Sequence, residues 1–159
     1  ALAIQRYKKL GYEVVVYDIN DVVLQNDDPQ ILVTAIGQVI DDINERKKYY
    51  VQKGITIFDG IGNSLGSFFL YNYTVRFPLR KIILNIGGYM TSVIFEANNR
   101  HIKKTKQKYI ANGIDRAKLA KLWASIDDVA LGKQLKSQET LLFRALNDKY
   151  ASKKILKLQ

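Results

Sequence analysis

Gly62-Asn63-Ser64-Leu65-Gly66 is the stretch whose residue types and spacing point to chemistry. It follows the apolar run Ile55-Thr56-Ile57-Phe58 and precedes Ser67-Phe68-Phe69-Leu70-Tyr71-Asn72-Tyr73, so a G-x-S-x-G pattern lies between an expected strand and an expected helix. A serine carried on such a sharp turn has its hydroxyl lifted clear of the sheet edge. It then sits at the N-terminal end of the following helix, where backbone N–H groups can hold an oxyanion. The chemistry this permits is attack of the serine oxygen on a carbonyl carbon. The turn leaves little room for side chains two residues either side of the serine, so glycines at 62 and 66 are expected on steric grounds. A serine hydroxyl remains a poor nucleophile without a base. The chain has one histidine, His101, set among asparagine, arginine and lysine, and this pattern reads as a surface residue rather than a base.

The elements that must position Ser64 alternate along the chain. Residues 2–10 read as a short helix closed by Gly11, and Tyr12-Glu13-Val14-Val15-Val16-Tyr17 reads as a β-branched strand. Asp28-Pro29 supplies an N-cap with proline at the first helical position. Ile31, Leu32, Ala35, Ile36, Val39, Ile40 and Ile43 then form a helical stripe that closes near Gly54. The strand at 55–58, the serine turn and a helix to Phe77 follow, with Asp59-Gly60 as a turn signal at the strand end and Pro78 closing the unit. Lys81-Ile82-Ile83-Leu84-Asn85 is the next strand. Residues 92–135 read as an insertion of short helices, broken at Asn112-Gly113, restarted by Asp115, with Leu119 and Trp123 facing inward. Strand character returns at 140–146 and a last helix opens near Ser152.

Alternation of strand and helix, with strands that are apolar throughout, predicts an α/β fold: a mostly parallel sheet with helices on both faces. Active residues of such sheets gather at the carboxyl ends of strands. Ser64, the loop Asn85-Ile86-Gly87-Gly88 and the segment Asn147-Asp148-Lys149-Tyr150 all fall there. The remaining acids read as structural. Asp18, Asp27 and Asp28 are turn and capping residues, Asp127-Asp128 caps a helix, and no metal-ligand spacing is present, so neither metal nor cofactor is expected.

The order of strand, G-x-S-x-G, helix, short strand, helical insertion, strand and loop acid resembles the α/β-hydrolase superfamily over nearly the whole chain. The resemblance implies Ser64 as nucleophile, with Gly62, Asn63 and Gly66 completing its elbow. It implies the Leu65 N–H as an oxyanion donor, Asp148 as the acid that orients a histidine, and residues 92–135 as a cap over the active site. The implied activity is cleavage of a small ester or thioester through an acyl-enzyme. The family order is serine, acid, histidine, and 11 residues follow Asp148. The expectation is therefore a single partial domain over 1–159, with its histidine and second oxyanion donor outside it, and inactive alone. The alternative is a non-catalytic module that reuses the same sheet for binding.

Composition bounds these readings. At 159 residues, 47% apolar and 25% charged, the chain holds one domain with a real core, and no apolar run reaches the length of a membrane span. The absence of cysteine excludes disulfides and thiolate metal sites. With no visible signal peptide, it leads to a cytoplasmic expectation. The net charge of +10 is densest at Lys103, Lys104, Lys106 and Lys108, on a segment that also carries Ile102, Tyr109 and Ile110. Without a nucleic-acid motif or stacking aromatics beside them, these lysines read as the solvated face of an amphipathic helix, and nucleic acid is not expected as a partner. Oligomeric state is left open.

Overall fold

The computed structural model describes residues 2–19, 22–85, 89–127, 135–136 and 139–143. Helix α1 (Leu2–Lys9) is followed by an extended segment, the single turn α2 (Val22–Gln25) and the long helix α3 (Gln30–Gln52). Then come β1 (Asp59–Asn63), α4 (Leu65–Arg76) and β2 (Lys81–Asn85). Four helices lead to the next strand among the described residues: α5 (Met90–Glu96), α6 (Arg100–Ala111), α7 (Arg116–Leu122) and α8 (Ala124–Asp127). Strand β3 (Glu139–Phe143) closes the described chain. The three strands form a parallel sheet in the order β1-β2-β3. The expected α/β class with a parallel sheet is therefore present, and the segment expected to be helical is helical through Asp127.

The cores of the helices follow their sequence patterns. On α3 the stripe buries Leu32, Ile36 and Ile40, with Ala35, Val39 and Ile43 partly covered, while Ile31 lies exposed at the margin. Asp28 starts this helix by accepting the Gln30 N–H at 2.9 Å, and the chain leaves it through Gly54 at φ +83°. Asn99 caps α6 by accepting from the N–H of His101 at 2.8 Å, and Asp115 caps α7 by accepting from that of Lys118 at 2.8 Å. Apolar residues of α3, α4, β2 and the later helices meet in one continuous core.

Two expected strands are not strands. Residues 12–17 are extended but join no ladder among the described residues, and Tyr12, Val15 and Val16 are exposed. The Tyr12 N–H donates to the Tyr7 carbonyl at 3.1 Å and the rings of these two residues meet edge-on at 5.9 Å, while the Tyr17 ring lies under the Arg46 guanidinium at 5.8 Å. β propensity marks a chain that fits a pleated surface, and pairing decides whether it becomes a strand. Ile55–Phe58 likewise lies outside the ladder, which begins at Asp59 and runs through Gly62-Asn63. The Asp59-Gly60 turn signal is overridden because both residues are held from the side. The Asp59 carboxylate is gripped by both arms of Arg80, one contact being Nε to Oδ1 at 2.9 Å. Gly60 lies under Leu70 and Leu79, whose methyls would sit 2.7 and 3.0 Å from any added Cβ.

The register puts Gly60, Gly62, Ile82, Leu84, Thr140 and Leu142 on one face of the sheet and Ile61, Ile83, Leu141 and Phe143 on the other. Helix α4 packs on the first face. On the second, Ile61 is 45% exposed and Leu141 and Phe143 are each 51% exposed. The expected cover on both faces is thus seen on one face among the described residues.

Buried polar groups tie the helices after β2 to this core. Trp123 is fully buried and its indole N–H donates to the Pro29 carbonyl at 2.8 Å, joining the end of α7 to the start of α3. The buried Asn72 amide of α4 donates to the carbonyls of Phe68 and Ile126, each at 3.0 Å. Truncating Trp123 to alanine empties a large site and leaves the Pro29 carbonyl without its donor. The expected loss is about 3–5 kcal/mol, read from the midpoint and slope of urea unfolding.

The Asp59–Arg80 pair also sets an acid limit. Hydrogen bonding to the guanidinium holds the Asp59 carboxyl below its ordinary value of 3.8, partly opposed by burial. A depressed folded value favours the folded state above pH 3.8, and this contribution fades as pH falls from there through the lower folded value. Unfolding midpoints measured across that acid range are expected to fall less steeply in Asp59→Asn than in the unaltered chain.

Candidate functional site

Ser64 occupies the single residue between β1 and α4, at φ 52° and ψ −123°. It is the one non-glycine residue with positive φ among the described residues. That corner is the mirror image of the extended corner of a type II turn and belongs ordinarily to glycine. An L-residue held there costs about 1–3 kcal/mol, which surrounding structure must offset. The compensations are visible. The Ser64 N–H donates to the Asn85 carbonyl at 2.9 Å, pinning the turn to the end of β2. The Ser67 N–H closes back on the Ser64 carbonyl at 3.0 Å, and Leu65 is buried in the core.

Beneath the turn, helix and strand touch backbone to backbone. A Cβ on Gly62 would fall 2.5 Å from Ser67 Cα and 2.8 Å from the Gly66 carbonyl oxygen. The steric expectation holds at this position. At Gly66 it does not: a Cβ there meets nothing within 4 Å, because that glycine faces away from the strand. Ser67, 0% exposed, is the residue that fits the narrow gap. Its hydroxyl lies 2.6 Å from the Gly62 carbonyl and 2.8 Å from that of Asn85, so one small side chain links α4 to both strands. Sequence reasoning passed over Ser67. The signal was a small hydroxyl residue three positions after Ser64 in the otherwise apolar run 65–70.

The carboxyl edge of the sheet is polar. Asn63 and Asn85, paired in register at the ends of β1 and β2, are joined by an Asn85 Nδ2 to Asn63 Oδ1 hydrogen bond of 2.6 Å. Ser64 is exposed beside them, and its hydroxyl has no hydrogen-bond partner among the described residues. The Leu65 N–H also has none there, and it lies in the first turn of a 12-residue helix whose N-terminal end carries positive partial charge. Farther along, the Asp127 carboxylate accepts from the N–H groups of Met90 and Thr91, each at 2.6 Å. Asp127 does cap a helix, as its sequence suggested, but it is α5, 36 residues back in the chain.

Ser64, Leu65, Gly62, Asn63 and Gly66 are thus together at one sheet edge. Asp148, Gly87, Gly88 and Asp128 lie outside the described residues. His101 is exposed in the first turn of α6, and no hydrogen bond links its side chain to Ser64. No three His, Cys, Asp or Glu side chains converge as a metal needs, and no helix is long and apolar enough to cross a membrane, both among the described residues. Comparison with protein-family models, with curated proteins and with solved structures gives no match in any of the three.

The two glycines separate the steric demand from the sequence pattern. Gly62→Ala drives a methyl group into backbone and is expected to cost about 1–3 kcal/mol or more. Gly66→Ala enters open space within a helix and is expected to be neutral or to stabilise by up to about 1 kcal/mol. Paired urea unfolding curves give both values.

Proposed function

We propose that this chain is the core of a serine hydrolase of the α/β-hydrolase type, acting on a small ester or thioester through an acyl-enzyme on Ser64. The observation that carries the reading is the backbone of Ser64, a non-glycine residue kept at φ 52°, ψ −123° between a parallel strand and a helix, with its hydroxyl exposed and unengaged among the described residues. Strain of this kind persists where surrounding structure over-determines it, and it clusters at functional sites. In this reading Ser64 Oγ attacks the acyl carbon and forms the ester bond while the alcohol or thiol departs. The Leu65 N–H stabilises the oxyanion, and Asp148 orients the imidazole that takes the serine proton and returns it to the leaving group. Residues 92–135 act as the cap that shapes the acyl pocket. His101 is not hydrogen-bonded to Ser64, so no imidazole stands beside the serine among the described residues.

A second reading is a binding module of the same architecture without chemistry, favoured by the lack of a histidine at Ser64 among the described residues. Free imidazole distinguishes the two. With a fluorophosphonate probe and added imidazole as external base, mass spectrometry is expected to show phosphonylation at Ser64 that rises with imidazole concentration and vanishes in Ser64→Ala. Absence of Ser64 labelling at any imidazole concentration, in protein whose unfolding curve is intact, would leave the binding module standing. Rapid labelling without imidazole that is lost in His101→Ala would instead make His101 the base.

A further inference from the structure

The sequence alone leaves the lysines of α6 as a solvated face; the structure adds which of its cations stand without counter-ions among the described residues. Residues 98–122 hold eight lysines and arginines and a single acid, Asp115. Within them Arg100, Lys103, Lys104 and Gln107 fall at i, i+3, i+4 and i+7, one face of α6. With Asn98 they line a shallow, open concavity. The opposite face buries Ile102, Thr105 and Tyr109 in the core, so the helix cannot roll and the cations stay presented.

The charges around this concavity are unbalanced. Arg100, Lys103 and Lys104 form no ion pair or side-chain hydrogen bond among the described residues. Nearby acids are spent elsewhere: Glu96 pairs with Arg116 at 2.7 Å, and Asp115 caps α7 through the Lys118 N–H. Asp28 accepts the Gln30 N–H at the start of α3. The helix N-terminus itself is already closed by Asn99, so the positive potential comes from side chains.

We infer that this concavity is a docking surface for the phosphodiester backbone of nucleic acid, read without regard to sequence. Two features select that occupant. The residues lining it are all cationic or amide-bearing, and the apolar area among them belongs to their aliphatic stems, so the surface presents charged heads rather than the apolar core of a protein interface or the apolar face of a membrane-inserted helix. The stretch from Arg100 to Gln107 rises about 10 Å along the helix, which matches two or three phosphates of one strand at about 3.4 Å of duplex axis each. Asn98 and Gln107 add amide donors to phosphate oxygens at its two ends. With no stacking aromatic and no helix end free to enter a groove, the surface positions and does not specify.

The test uses the full 159-residue chain, a fluorescein-labelled 20-base-pair duplex and anisotropy over a series of sodium chloride concentrations. Binding is expected, equal for two unrelated sequences, and weakening linearly in log–log form with salt. Replacing Arg100, Lys103 and Lys104 together by glutamine is expected to weaken binding at least tenfold and to flatten the salt slope by about 2–3, at roughly 0.9 per phosphate contact. Arg6, Lys8 and Lys9 replaced together by glutamine remove the same charge from α1 and are expected to change binding less than twofold. All six residues are exposed, and circular dichroism confirms that both variants fold. The inference is overturned by no duplex binding at the lowest salt, by equal weakening in the two variants, or by tighter binding to phosphatidylserine vesicles than to duplex.

Discussion

Helix α4 approaches β1 so closely that no side chain fits between them at Gly62, and the rest of the site hangs on that approach. Ser67 fills the gap with the smallest side chain that still carries a hydrogen-bonding group, and its hydroxyl reaches the carbonyls of Gly62 and Asn85 together. The same Asn85 carbonyl accepts the Ser64 N–H. One carbonyl at the end of β2 therefore anchors both the turn and the helix behind it. That shared anchor is what keeps Ser64 in a conformation costing about 1–3 kcal/mol. It also ties the geometry of the turn to the pairing of β1 with β2, because loss of register would carry the Asn85 carbonyl away.

A second set of constraints fixes the helices beyond β2. Each is a buried or half-buried polar group meeting a backbone partner far off in the chain: Trp123 on Pro29, Asn72 on Ile126, Asp127 on Met90 and Thr91. Apolar packing alone would bury these helices in many nearly equivalent ways. A buried donor left unpaired costs about 1–3 kcal/mol, so these bonds select one arrangement. One consequence lies on the outside of the molecule. With Ile102, Thr105 and Tyr109 turned into the core, Arg100, Lys103 and Lys104 must face out together, and a composition rich in lysine becomes a directed positive surface.

The legible parts of the sequence were those governed by local physics. Strand Lys81–Asn85, the buried stripe of α3, the caps at Asp28 and Asp115 and the inward pair Leu119 and Trp123 all follow from periodicity and side-chain capping within a few residues. The failures share a cause. Tyr12–Tyr17 has the composition of a strand but finds no ladder partner among the described residues. Asp59-Gly60 has the composition of a turn but becomes strand because Arg80, Leu70 and Leu79 hold it from more distant positions. Gly66 matches the motif without the steric need that explains Gly62.

By itself the sequence determined the α/β class, the strand–serine–helix order and a strongly basic segment after β2, since these depend on residue type and short-range spacing. Only the tertiary structure decided where the ladder begins, which glycine is indispensable, that Ser67 and Asn85 hold the serine turn, and which lysines stand without counter-ions among the described residues. The physical reason is that each of these depends on atoms brought together from separate segments, and such meetings leave no period or spacing in the chain.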